Sequence, residues 1–400
     1  MGTNQPKTIP QGYKATALGI IPQEWEVMRL GDIVSITSGE SPSLYHLKAE
    51  GKYPYVKVED LNNCEKYQES SREYSDDNNT TIKAGSIIFP KRGASILNNK
   101  VRIAAKDIQM DSNMMAITPH TAIVDTEFLY IRILHERLYR IADTSSIPQI
   151  NNKHIIPYKI AVPPLAEQRK IAEVLGVWDE TIEKQARLIE KLALRKRALM
   201  QRLLSAKLRL PGFSEPWKEH KIADLFSPIN DTNDGREHIP MTISAKSGFI
   251  SQKDKFDRVI AGDSLQKYIL LKKGDFAYNK GNSNLYEMGC IYHLNEESAL
   301  VPFVYICFRS KGSVNIDFYS QFFINHGLDR QLKKIITSGA RGDGLLNVDK
   351  KDFFALNVPY PTIEEQTAIA EVLTAADREI ELAKEKLDRL RRQKRGLMQQ

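Results

Sequence analysis

The sequence predicts an α+β fold written twice in tandem, each copy a mixed globular block followed by one long coiled-coil helix. Three observations carry this prediction. The ten-residue words AEQRKIAEVL, from Ala166, and EEQTAIAEVL, from Glu364, stand 198 positions apart. Behind each word the apolar residues recur at alternating spacings of four and three. The remainder consists of short apolar runs broken by Gly, Asn and Ser, the pattern of strands and loops.

Bulk properties bound the reading. A chain of 400 residues suits two to three domains, and 42% hydrophobic with 27% charged residues describes a soluble globular protein. No run approaches the ~18 apolar residues of a membrane span. Residues 1–20 read as an irregular lead-in without a signal layout, and the Met-Gly start lacks the Ser or Thr that myristoylation wants at position six. Cys64, Cys290 and Cys307 lie far apart without metal-type spacing, which suits a reducing cytoplasm and argues against disulfides or zinc. A net charge of +7 and a pI near 9.0 favour a polyanionic partner, although a basic housekeeping protein has the same balance.

The repeat extends well beyond ten residues. Laying 167–201 on 365–399 without a gap gives 16 identities in 35, where composition alone gives roughly two. EWEVMRLGDI at 24–33 answers PWKEHKIADL at 216–225, with Trp25 opposite Trp217. The domain reading is therefore a lead-in over 1–20, a first block over 21–162, a first helix over 163–208, a second block over 209–358 and a second helix over 359–400.

Along the first helix the apolar seam runs Ile171, Leu175, Trp178, Ile182, Ile189, Leu192 and Leu199. The second runs Ile369, Leu373, Ile380, Leu387, Leu390 and Leu397. A spacing of 3.5 residues held over about five heptads is a coiled-coil seam, and ~38 helical residues span roughly 57 Å. Thr362 and Glu365 form a capping-box pattern at the second helix start. Burying both seams against each other within one chain is the simplest arrangement; packing of each helix on its own block, or pairing between chains, also satisfies the pattern.

In the blocks, KAGSIIFPKRG (83–93) aligns with KKGDFAYNKGN (272–282), each a turn, a short strand and a polar loop. YPYVKV, KVRIAA and ALVPFVYICF read as further strands of a twisted or half-barrel sheet. The loops are rich in amides and bases. The first block offers Lys57, Lys91, Arg92, Asn98, Asn99, Lys100, Arg102, Gln149, Asn151, Asn152 and Lys153. The second offers Asn279, Lys280, Asn282, Ser283, Asn284, Arg341 and Asn347. Asn and Gln match adenine edges, while Arg and Lys match guanine edges and phosphates. Asn in a loop is also a turn former, so each cluster weighs more than any one member. Arg195-Lys196-Arg197 and Arg391-Arg392 with Lys394-Arg395 add basic helix ends that suit phosphates, partner subunits or plain solvation.

Taken with VPPLAEQ (162–168) leading into Ile171-Ala172, Val358-Pro359 with Glu365-Gln366, and the openings EWEVMRLGDIVSITSG and EPWKEHKIADL, the chain resembles the specificity subunits of type I restriction–modification systems. The resemblance spans essentially the whole chain; VPYPTIEEQ departs from the usual second junction. It implies a target-recognition domain in each block, joined by two antiparallel spacer helices about a pseudo-two-fold axis. Each domain then reads one half of a bipartite, asymmetric DNA target. The helices set the gap and dock two methyltransferase subunits, through which restriction and translocase subunits join; S-adenosylmethionine belongs to the methyltransferases, and this chain needs no cofactor. Two alternatives stand beside it: a DNA-modifying enzyme with fused recognition domains, and a coiled-coil DNA-binding scaffold without methyltransferase partners. Against the enzyme, the sequence holds no Asn-Pro-Pro-aromatic motif, no GxxxxGK[ST] loop and no His/Cys/Glu cluster at metal spacing. No catalytic or metal-ligating residue is assigned.

Overall fold

The structure is a computed structural model describing residues 9–143, 147–256, 262–281, 285–336 and 346–398. It divides into two compact units, residues 1–183 with 390–400, and residues 184–389.

In the first unit a five-stranded sheet takes the order Val34–Ser38, Met114–Pro119, Ile87–Pro90, Arg102–Ala104, Tyr67–Gln68. The central strand, from SIIFP, pairs antiparallel on both sides and is buried along its length because its two faces enter two cores, Ile87 and Phe89 one and Ile88 the other. Gly85 (φ 81°) makes the turn into it, and Gly274 (φ 83°) does the same in the second unit, a conformation that L side chains avoid. A smaller sheet places Tyr53–Val56 between Gln109–Met110, parallel, and Tyr74–Ser75, antiparallel. Helix Thr126–Glu136 is capped by the Asp125 carboxylate, which accepts from the amides of Glu127 and Phe128. The lead-in is not wholly irregular: Tyr13–Thr16 and Gly19–Pro22 form an antiparallel hairpin. Its pattern was masked in sequence because Ile20 and Tyr13 stay largely exposed rather than alternating into a core.

The second unit repeats the plan. Its main sheet runs Phe226–Pro228, Ile306–Ser310, Phe276–Asn279, Cys290–His293, the order of the first four strands of the first unit. Its smaller sheet likewise contains a parallel pair, Ile239–Ser244 with Ser298–Val301. ALVPFVYICF is two strands rather than one, because the chain turns at Pro302 and the Tyr305 amide donates to the Pro302 carbonyl. Phe226, Phe276, Phe308 and Phe323 stack edge-on or face-on at 5.3–6.5 Å in the core.

Each unit has a strand pair that hands the chain to a long helix: Glu26–Arg29 with Lys159–Val162 before Leu165–Leu203, and Lys218–Lys221 with Asn357–Tyr360 before Ile363–Leu397. Both helices begin in one unit and end in the other. Within the second unit, Gln185 Nε2 donates to the Ala383 carbonyl at 2.9 Å, Lys196 pairs with Asp377 at 2.6 Å, and Arg195 with Glu379 at 2.6 Å. The partner number falls as the first rises, so these stretches run antiparallel. Within the first unit, Lys394 pairs with Asp179. Lys196/Lys394 and Asp179/Asp377 are identities of the 198-residue repeat, so one ion pair is written twice. Thus Lys196 and Lys394, which the sequence sets in the basic helix ends and also at equivalent positions of the heptad seam, are engaged between helices.

Three sequence readings of the helices need correction. Ile171 and Leu175 pack with the first block's core, and Ile369 and Leu373 belong to the second block's, so the first turns of each apolar stripe join a block core that also takes in the end of the other helix, Met398 or Met200 and Leu203. Leu397, placed in the seam, is 41% exposed at the last helical position. Thr362 Oγ1 does accept from the Glu365 amide at 3.3 Å, but the reciprocal half of the capping box is missing. The Glu365 carboxylate turns instead to the Trp217 indole (2.9 Å) and to Arg209, which donates through Nε (2.7 Å) and a terminal nitrogen (2.9 Å). A charged guanidinium outcompetes a backbone amide for a buried carboxylate.

Candidate nucleic-acid interface

In each main sheet a lysine directly follows the strand Ile87–Pro90 or Phe276–Asn279, and the same backbone hydrogen bond follows. The Ile150 amide donates to the Lys91 carbonyl, and the Leu346 amide to the Lys280 carbonyl, both at 2.9 Å. This bond ties the loop after the strand to a segment about 60 residues later, just before a short helix (Asn152–Ile155 or Lys350–Phe354).

In the first unit Arg92 bridges Gln149, and the Gly93 amide donates to the Pro148 carbonyl at 2.9 Å. Lys91, Arg92, Gln149, Asn151, Asn152 and Lys153 are therefore brought together. Asn151, Asn152 and Lys153 are exposed, and the Asn151 amide donates to His154 Nδ1 at 3.1 Å. Burial first, then the Arg92 charge, lower the Lys91 pKa, which an approaching phosphate would restore.

Other expected residues are differently engaged. The Arg102 guanidinium donates to the carbonyls of Cys64, Val101 and Leu61, each at 2.8 Å, and so fastens the sheet edge. Asn99 (φ 50°) donates to the Leu134 carbonyl and accepts from the Leu138 amide, joining its loop to a helix end. Lys57 pairs with Glu73 beside the smaller sheet. Asn98 is exposed and Lys100 half-buried beyond the turn Ala94–Ile96.

In the second unit the Asn279 amide donates to the Ile243 carbonyl and accepts from the Gly281 amide, a local turn. Arg102, Asn99 and Asn279 therefore leave the interface set, because satisfying buried backbone groups holds their polar atoms. Lys280 and Asn347 line a groove of about 650 Å³ together with Asn230, Phe303 and Lys350. Lys350 Nζ donates to Asn230 Oδ1 at 2.6 Å, and Phe303 is 56% exposed, an aromatic face beside a basic one. Asn282, Ser283, Asn284 and Arg341 lie outside the described residues.

One feature of the first unit was not anticipated. His135, Arg137, Arg140 and Arg395 line a cavity of about 420 Å³. Burial first, then the charges of Arg132, Arg140 and Arg137, with Glu136 opposing, depress the His135 pKa below 6.5. Hydrogen bonds from Arg137 and Arg140 lower that of Tyr139. Such a constellation suits a phosphate. The run HERLYR held the signal, but its meeting with Arg395 joins residues about 255 positions apart.

Both interfaces are fastened to their helices alike. Gln168 accepts from the Asp125 amide (2.8 Å) and donates to the carbonyls of Ile123 (2.9 Å) and Pro163 (2.8 Å). Gln366 accepts from the Asn315 amide and donates to the Pro361 carbonyl, both at 2.9 Å. Trp25 Nε1 donates to Glu167 at 3.1 Å as Trp217 does to Glu365. The repeated Glu-Gln word is a junction clamp. Among the described residues no group of His, Cys, Asp and Glu could hold a metal ion, and no helix is long and apolar enough to cross a membrane.

The family described as type I restriction modification DNA specificity domain matches residues 22–194 and again 214–392. The specificity subunit of the type I restriction enzyme MjaVIII from Methanocaldococcus jannaschii is 23% identical over 94% of this chain and 92% of its own. That of EcoDI from Escherichia coli is 26% identical over 61% and 54%. Among solved structures, the fold resembles a type I restriction–modification S subunit from M. genitalium (TM-score 0.52, 16% identity, 93% and 94% covered). It also resembles the HsdS subunit from Thermoanaerobacter tengcongensis (TM-score 0.53, 17% identity, 95% and 96% covered).

Proposed function

The chain belongs to the family of type I restriction–modification DNA specificity domains, and from that premise we propose how its two units divide the reading of DNA. It is the DNA-recognition subunit of such a system and not the catalyst, working with DNA and with modification and restriction subunits. The first unit reads one half-site through Lys91, Arg92, Gln149, Asn151, Asn152 and Lys153. The second reads the other through Lys280, Asn347 and Lys350, with Phe303 beside them. The observation that carries this division is the repeated backbone bond, Ile150 to Lys91 and Leu346 to Lys280, which sets two different side-chain groups on the same frame.

The paired stretches of the long helices act as a coiled-coil spacer fixing the distance between half-sites, and they dock two methyltransferase subunits. S-adenosylmethionine comes with those subunits, and the assembly works in the cytoplasm. The arginine-lined cavity holds a backbone phosphate and contributes affinity without sequence preference.

Methylome sequencing of cells expressing the chain with its methyltransferase tests the reading. Asn151→Ala is expected to relax one half-site and Asn347→Ala the other, each by about 1–3 kcal/mol of discrimination at one base pair. Inserting four residues within 184–195 should keep both half-sites and change the permitted gap, since ~6 Å of helix is about two base-pair steps. A change in both halves from Asn151→Ala alone would refute the division.

A further inference from the structure

The turn that leads into the strand Met114–Pro119 or Ile306–Ser310 differs between the units. In the first it is Asp111-Ser112-Asn113, following Gln109–Met110. The Asp111 carboxylate accepts from the Asn113 amide at 2.7 Å and from its side-chain nitrogen at 2.8 Å, so this turn is wholly polar and folded on itself. In the second it is Pro302-Phe303-Val304-Tyr305, following Ser298–Val301. Tyr305 is buried, and its hydroxyl oxygen accepts from the Ile243 amide at 3.2 Å, which pins the turn from within. Phe303 is left outside at 56% exposure, the most exposed aromatic ring among the described residues. It lines the groove of about 650 Å³ with Lys280 and Asn347, and the half-buried Val304 and Ile269 extend the apolar surface beside it.

We propose that Phe303 is a specificity-determining residue that reads one thymine through its 5-methyl group, beside the bases that Asn347 and Lys280 contact. In the major groove base edges are read by hydrogen bonds, and the thymine methyl is the apolar group that projects there. A ring held in water gains by covering that methyl, while amide and ammonium groups at its flanks suit the neighbouring base edges. The assignment rests on the division of half-sites proposed above and names what one side chain of the second half recognises. The corresponding turn of the first unit carries no apolar side chain, so methyl reading from this position belongs to one half-site alone.

The experiment measures binding of the full chain with its methyltransferase to a duplex carrying the site that methylome sequencing defines. Each thymine is replaced in turn by deoxyuridine, which keeps the pairing edge and loses only the methyl. At one thymine the unaltered chain should bind about fourfold more weakly, the worth of one methyl removed from water. Phe303→Ala should bind the thymine and deoxyuridine duplexes alike, and should melt as the unaltered chain does because the ring is mostly exposed. That thymine should lie in the half-site that Asn347→Ala relaxes. A site without a methyl-sensitive thymine overturns the proposal, a readout needing no protein variant. So does sensitivity that persists in Phe303→Ala. Equal weakening of every duplex by Phe303→Ala, without methyl sensitivity, would make the ring a wedge between base steps and overturns it as well. If Phe303→Ala removes the sensitivity but Asn347→Ala relaxes the opposite half, the methyl contact stands and the division of half-sites falls.

Discussion

In the first unit the junction glutamate, Glu167, lines a groove of about 680 Å³ with Trp25, Phe128, Ile171 and Met398, whereas in the second Arg209 with Leu203, Leu204, Leu208 and Leu210 covers the equivalent Glu365. The two clamps share their words, their tryptophan donors and their glutamine bonds. What differs is the segment lying across them, and that segment comes from outside the repeated word. The shared hydrogen bonds repeat because the partners are repeated as well, Trp25 and Trp217 and the amides of Asp125 and Asn315, which lie 43 to 148 residues from the word. Burial depends on distant chain and need not repeat.

This comparison can be broken most forcefully in the core. Ile369 is 1% exposed, and Ile369→Ala should cost about 2–5 kcal/mol through lost burial and a cavity. Ile171→Ala, at the groove wall, should cost clearly less; calorimetry of both variants giving equal losses would mean that the groove is closed in solution. Next in size is the clamp itself. Glu365→Gln should destabilise by about 1–3 kcal/mol, since Arg209 is left without its carboxylate, whereas Glu167→Gln loses only the charge on one indole bond. Urea titration distinguishes them, and the order should not invert.

The ion pairs between helices sharpen the comparison from the opposite side, because here the halves agree. Lys196→Ala and Lys394→Ala should each cost about 0–1 kcal/mol and by similar amounts, as both ammonium groups are mostly buried against half-exposed carboxylates. Equal melting shifts support a pair written twice. The smallest effect is expected at His135. Its folded pKa is depressed below 6.5, so the unfolded state binds more protons in that window. The contribution is complete above pH 6.5 and is lost as pH falls through the folded pKa. His135→Gln should flatten that decline in thermal melts between pH 7 and 5, and a bound polyanion should diminish it by raising the pKa.

Legibility in the sequence follows the range of the interactions. Asn151, Asn152 and Lys153 read as loop residues because adjacent polar residues announce a loop; they are exposed, but Asn152 and Lys153 open the short helix Asn152–Ile155. Arg102 and Asn99 looked the same in sequence, yet their polar atoms satisfy carbonyls and amides 35–41 residues away. The arginine-lined cavity was missed for the same reason, since Arg395 reaches Arg137 only through the fold.

By itself the sequence determined the duplication, the two long helices, the antiparallel-capable seam positions such as Leu192 and Leu387, and the paired Glu-Gln junctions. Periodicity and short-range hydrogen bonding are encoded within a few turns of chain. Only the tertiary structure decided that Ile171 and Ile369 pack into the block cores, that Lys196 and Lys394 meet aspartates on the other helix, and that residues 203–210 cover Glu365. Those outcomes depend on which distant segment excludes water from a given side chain, and apolar burial is non-directional. A repeated word therefore cannot specify its own cover.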